Sequence, residues 1–255
     1  MRRTHVVLHT LPIGDANLIA YGEAGRPVLV FPSDDGRASD FESNGLLDAV
    51  RNLVEEGRVR LYCVDSFEGG SWRRRDLPLE DRAREHGKFN DFVLNDVVPW
   101  IHNDIGADSD IVLAGCSFGA FHAANFALRR GDLFPLGLCL SGVYDMAKIG
   151  WGERGDAFYF NNPMDYVANM HGEHLDWIRG RVHLTLVVGQ GPWEDDSASG
   201  SLPSTLAFAD VLRAKEIPHE LDLWGHDSAH DWPWWQRQLA HHLPRFATRS
   251  PGSPI

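Results

Sequence analysis

Leu113-Ala114-Gly115-Cys116-Ser117-Phe118-Gly119-Ala120 is where an apolar run stops at Gly-x-Ser-x-Gly and helix-like sequence begins at once. The flanking pattern reads as a strand over residues 110–115 and a helix over residues 118–130. A serine on so tight a strand-to-helix turn needs neighbours without side chains, so that its hydroxyl stands free near a helix N-terminus. Gly115 and Gly119 flank Ser117 at that spacing. Outward from this turn the same change of period recurs. Before it, residues 26–32 form an apolar run ended by Pro32, as in a strand buried on both faces. A loop at Ser33 to Gly36, a helix over 41–56, a strand over 60–65, a long polar loop and a helix over 90–105 follow. After it come strands at 136–143, 182–188 and 220–224, with helices at 205–216 and 232–246.

Alternation of strand and helix from residue 27 predicts the α/β class: a mostly parallel central sheet with helices on both faces and right-handed crossovers. Two β-type runs at 5–11 and 17–21 predict an opening hairpin turned at Gly14-Asp15. Residues 145–179, rich in Trp, Tyr, Phe, Asn and Gly, break the alternation and are expected to form a small irregular cap over the crevice. The reading gives one domain over 1–248 and a disordered tail at 249–255, where Ser, Pro and Gly dominate.

The 255 residues are 43% hydrophobic and 24% charged, enough to bury one sizeable core. A formal net charge of −12 disfavours nucleic acid and anionic membranes as partners. Cys63, Cys116 and Cys139 each sit in an apolar run and are expected as free thiols in a reducing compartment. With no apolar stretch after Arg2 and Arg3 and no window resembling a membrane span, a cytoplasmic protein is expected.

In parallel sheets the ligand crevice lies beyond the carboxyl ends of the strands, so the residues just after each strand are the candidates. A serine hydroxyl needs a base to take its proton and a third group to orient that base. His230, before the final helix, is the expected base, with His226 of the same loop as competitor. His122, about one turn past Ser117, reads as packed, and His171, His174, His241 and His242 as solvated. For the acid, the loop after the 182–188 strand offers Glu194, Asp195 and Asp196; Asp195 is the expected residue, with Glu194 and Asp145 as alternatives. The developing oxyanion needs preorganised donors, expected from the backbone N–H of Phe118 and, after the 27–31 strand, of Asp34.

Taken together, the elbow at 115–120, Ala123-Ala124-Asn125-Phe126-Ala127-Leu128, Ser141-Gly142-Val143-Tyr144-Asp145 and His230-Asp231-Trp232-Pro233-Trp234-Trp235 resemble the putative-esterase branch of the α/β-hydrolases. That branch holds esterase D-like, feruloyl esterase-like and mycolyltransferase proteins. The resemblance covers most of residues 17–246 and implies the α/β-hydrolase fold, a serine carboxylesterase activity through an acyl-enzyme on Ser117, and His230 as general base. No cofactor or metal is implied, and the expected partner is a small-molecule ester; self-association into a homo-oligomer stays open. Acyl transfer by the same residues and a non-catalytic binding role are the alternative functions. His226 and His230 have the His-x-x-x-His spacing of zinc hydrolases, but an aspartate stands where those carry glutamate and the segment precedes the helix. Trp72, Trp151, Trp177 and Trp193 fall in predicted loops and would favour a bulky or aromatic ester if they lined the crevice.

Overall fold

Strand alternation divides the core in two. In a computed structural model that describes residues 1–195 and 200–248, Val28 and Val30 face one layer of helices while Leu29 and Phe31 face the other. The strands are β1 (Arg3–Thr10), β2 (Gly14–Tyr21), β3 (Arg26–Phe31), β4 (Val59–Val64), β5 (Val112–Cys116), β6 (Leu136–Leu140), β7 (His183–Val188) and β8 (His219–Leu223). They form one sheet in the order β1-β2-β4-β3-β5-β6-β7-β8. β2 runs antiparallel to β1 and β4, and every later pairing is parallel.

The helices are α1 (Asp40–Ser43), α2 (Leu46–Ala49), α3 (Arg51–Glu55), α4 (Leu79–Phe92), α5 (Val98–Ile105), α6 (Phe118–Arg129), α7 (Asp156–Tyr159), α8 (Pro163–Asn169), α9 (Gly172–Arg181), α10 (Ser201–Ala214) and α11 (Trp232–Phe246). One core joins Leu29, Phe31 and Leu113 to Phe89, Phe126, Ile178 and Phe208. The other joins Val28, Val30 and Val112 to Phe41, Leu46, Leu239 and Phe246. Phe31 stacks on Phe126 with ring centroids 5.4 Å apart. Full burial of such a side chain contributes about 1.5–3 kcal/mol, so both faces of the sheet are anchored strongly.

Four local expectations change. The hairpin turn falls on residues 11–13, and Gly14 and Asp15 are strand residues paired with Thr10 and His9. The helix expected over 41–56 is three short pieces, interrupted at Gly45, whose φ of 74° is left-handed, and again at Val50. The long polar loop contains α4, whose Glu80, Arg82, His86 and Asn90 are buried. A helix that buries polar groups shows no apolar stripe. Arg82, for example, donates to the carbonyls of Trp72, Leu77 and Ile149. A π-helical turn, Val93–Val97, joins α4 to α5 and accommodates Pro99, which has no N–H to donate.

Finally, the segment at 145–179 is largely helical. The Glu80 carboxylate accepts the N–H groups of Gly155, Ala157 and Phe158 and ties its start to α4. Val167, Leu175 and Ile178 enter the first core, which makes α8 and α9 part of the crossover from β6 to β7. Residues 249–255, expected as a tail, lie outside the described residues. Among the described residues no helix is long and apolar enough to cross a membrane. Cys63, Cys116 and Cys139 are free and buried.

Candidate active site

β5 ends at Cys116 and α6 begins at Phe118, so Ser117 alone makes the turn. Its backbone sits at φ 55°, ψ −119°, a strained conformation for a residue with a side chain. The glycines permit it by close approach. A Cβ on Gly115 would lie 2.2 Å from the Gly119 carbonyl oxygen, and one on Gly119 would lie 2.3 Å from the Pro32 carbonyl oxygen. The second contact presses the start of α6 onto the end of β3 and brings the loop at Ser33 to Gly36 beside the elbow. The Phe118 N–H heads α6 and has no acceptor within it. Burial pushes the neighbouring Cys116 thiol up to about 12, so it stays protonated.

His230 reaches this serine from the loop after β8. Its Nε2 lies 3.0 Å from Ser117 Oγ, and its Nδ1 lies 3.1 Å from Glu194 Oε2 and 3.1 Å from Ser201 Oγ. With a carboxylate on Nδ1, that nitrogen carries the hydrogen and Nε2 is the acceptor that faces the serine hydroxyl. The backbone N–H of His230 donates to the Pro192 carbonyl at 3.1 Å, and Asp231 caps α11 by accepting the Trp234 N–H. The edge of the ring pair with Trp235, centroids 4.9 Å apart, fixes the imidazole plane.

Glu194 is fully buried. Burial alone would raise its carboxyl, but hydrogen bonds from His230, Ser141 and Ser201 outweigh it and hold the group below the usual carboxylate range. Ser141 Oγ donates to Oε1 at 2.5 Å, the Gly189 N–H donates to the same oxygen at 3.3 Å, and Ser201 Oγ donates to Oε2. Trp235 Nε1 in turn donates to Ser141 Oγ at 3.1 Å. Every carboxylate oxygen of Glu194 is therefore engaged, which is what makes a buried charge tolerable.

The residue on the imidazole is thus Glu194, and the expectation of Asp195 is corrected. The Glu194 N–H closes a turn onto the Gly191 carbonyl at 3.1 Å, and on such a turn adjacent side chains diverge: Glu194 points in and Asp195 is exposed. Asp145 caps a short 3-10 turn, Met146–Lys148, by accepting the Ala147 N–H at 3.1 Å. Asp196 lies outside the described residues. Asp34 lies in the expected loop, and its carboxylate pairs with Arg73 at 3.3 Å. His226 is exposed and turns Nδ1 to the Gln190 carbonyl, away from any shared position with His230. His242, expected as solvated, is buried with Nε2 on Asp222 at 2.9 Å.

The four tryptophans do not gather. Trp72 is buried against Phe121 and Phe158, Trp151 bonds the Arg75 carbonyl, Trp177 stacks on His174, and Trp193 stands exposed. Sequence reasoning missed Ser141, Ser201 and Trp235, because nothing in a lone serine or a helix tryptophan marks it as a partner of a distant carboxylate. It also missed Glu68, whose Oε1 accepts from His122 Nε2 at 2.6 Å beneath the elbow helix.

A family model described as "Putative esterase" matches residues 21–246. The chain belongs to that esterase family. Solved structures share the fold of this esterase. A ferulic acid esterase is 18% identical with TM-score 0.73, covering 97% of each chain. An S-formylglutathione hydrolase from Agrobacterium tumefaciens is 15% identical with TM-score 0.72, over 97% of this chain and 95% of that one. MPT51 (FbpC1) of Mycobacterium tuberculosis is 14% identical with TM-score 0.74, over 97% and 98%. No curated protein sequence matches the esterase.

Proposed function

We propose that the protein is a serine carboxylesterase that cleaves small-molecule carboxylic esters through an acyl-enzyme on Ser117. The observation that carries this reading is the continuous relay from Ser117 Oγ through both nitrogens of His230 to Glu194. Ser117 Oγ attacks the ester carbonyl carbon while His230 Nε2 takes its proton. Negative charge develops on the carbonyl oxygen, where the Phe118 and Asp34 N–H groups are the donors. The pairing of the Asp34 carboxylate with Arg73 leaves its backbone N–H as the useful group. Glu194 holds the tautomer of His230 and stabilises the imidazolium. His230 then protonates the departing alkoxide, and the C–O bond to the alcohol breaks. Water attacks the acyl-enzyme with His230 again as base, releasing the acid and restoring Ser117.

The test is covalent labelling by a fluorophosphonate together with hydrolysis of p-nitrophenyl acetate. Wild type is expected to label at Ser117, and Ser117→Ala and His230→Ala to lose at least about 10³-fold in kcat. Unlabelled wild type, or full activity in Ser117→Ala, would overturn the reading.

A further inference from the structure

The two proposed oxyanion donors stand on different elements. Phe118 N–H is on α6, whereas Asp34 N–H is on the loop after β3, so their separation depends on whatever ties that loop to that helix. The loop closes a turn of its own, the Gly36 N–H donating to the Ser33 carbonyl at 3.0 Å, but that bond does not reach the helix. Asp35, next to the donor, sits at φ 55°, in the left-handed region, inside that turn. Beyond that turn, the tie runs to the loop after β4. The Asp35 N–H donates to Glu68 Oε2 at 2.9 Å, and Asp35 Oδ1 accepts the Gly69 N–H at 3.1 Å.

Glu68 continues to the helix. Its Oε1 accepts from His122 Nε2, with both side chains 1% exposed. His122 lies in the second turn of α6, and its ring is 5.4 Å from that of Phe118. The Arg73 that holds the Asp34 carboxylate also donates its backbone N–H to the Glu68 carbonyl at 2.8 Å. One buried side chain thus spans the loop and the nucleophile helix. For stability alone a pair of well-packed apolar residues would serve as well or better, since a buried carboxylate is costly to desolvate.

We infer that Glu68, with His122, is a positioning residue for the reaction: a strut that sets the distance between the Asp34 and Phe118 amides where the oxyanion forms. The inference rests on the serine esterase reading. A strut of this kind acts on the transition state and leaves ground-state binding alone. It also has a steric signature. In Glu68→Gln the amide oxygen still accepts from Asp35 and the amide nitrogen can donate to the other tautomer of His122, so the span is kept without the charge.

The experiment compares wild type, Glu68→Gln, Glu68→Ala and the double variant Glu68→Met/His122→Phe, which removes both polar partners and orphans neither. The readouts are Tm, KM and kcat on p-nitrophenyl acetate, and affinity for a trifluoromethyl ketone that mimics the tetrahedral intermediate. Glu68→Gln is expected within a few-fold of wild type. Since deleting an oxyanion donor outright costs about 10²- to 10³-fold, its displacement in the alanine and double variants should lower kcat by about 10- to 100-fold with KM changed less than about 3-fold. Ketone affinity should fall by the same factor as kcat/KM. If Glu68→Ala unfolds, the double variant carries the test. A folded double variant with wild-type kcat and ketone affinity would overturn the strut while fluorophosphonate labelling of Ser117 leaves the esterase reading intact. Unlabelled wild type would overturn both.

Discussion

Glu194–His230 and Glu68–His122 are the same chemical pair, a buried glutamate on an imidazole, placed near one serine and put to different ends. In the first, the second ring nitrogen faces Ser117 Oγ and the histidine is 21% exposed on the crevice. In the second, His122 Nδ1 has no hydrogen-bond partner among the described residues and the ring is enclosed by Phe31, Phe89, Phe118, Phe121 and His86. Both carboxyls lie below the usual range although burial pushes each up, because His230 and the serines act on one and His122 and Ser66 on the other. What differs is the free nitrogen. An imidazole that opens onto a hydroxyl can move a proton, and one walled in by aromatic rings can only hold a position.

The sharpest way to break the first pair is Glu194→Gln, which removes the carboxylate and leaves its shape. The wrong tautomer of His230 then becomes accessible, and kcat is expected to fall by about 10³- to 10⁴-fold with little change in KM. Asp195→Asn, one residue away and exposed, is expected to keep wild-type kcat. Steady-state kinetics on the two variants check the contrast, and a large loss in Asp195→Asn with Glu194→Gln near wild type would return the acid to Asp195.

The second pair is probed through its neighbour. His86 is stacked on His122 with centroids 5.3 Å apart, and neither nitrogen of its ring has a hydrogen-bond partner among the described residues. Burial first, then the proximity of His122 and Arg129, holds its pKa well below the ordinary value. Below pH 6.5 the unfolded chain therefore binds a proton there that the folded state refuses, and stability falls as pH drops from that point. Wild type is therefore expected to be less stable at pH 5 than at pH 8, with His86 contributing to the loss. His86→Phe should remove that increment, so denaturant melts at the two pH values should differ less in the variant than in wild type.

A smaller loss than at Glu194 is expected at Ser201, which shares Glu194 Oε2 and His230 Nδ1. Ser201→Ala deletes one charge-assisted bond and leaves the relay in place, with kcat lowered by about tenfold and Tm nearly unchanged. A loss as large as that of Glu194→Gln would make Ser201 an equal member of the relay.

How much of this was legible follows from where each signal lives. The elbow is local: Gly115, Ser117 and Gly119 lie within one turn, so their spacing states the close approach directly. Strands β3 and β5 to β7 are read from apolar runs, because a strand covered on both faces has no polar side to hide it. α4 escaped because its buried residues include Glu80, Arg82, His86 and Asn90, whose partners lie on other segments.

The amino-acid sequence by itself determined the layered α/β order, the serine at the elbow and the histidine before α11, each carried by residues adjacent in the chain. Only the tertiary structure decided which acid meets His230 and which glutamate meets His122. Those choices depend on the facing of a turn at Gly191 to Glu194 and on contacts 54 residues apart between Glu68 and His122. A carboxylate takes its role from the partners that surround it once water is excluded, and those partners are set by packing, not by neighbourhood along the chain.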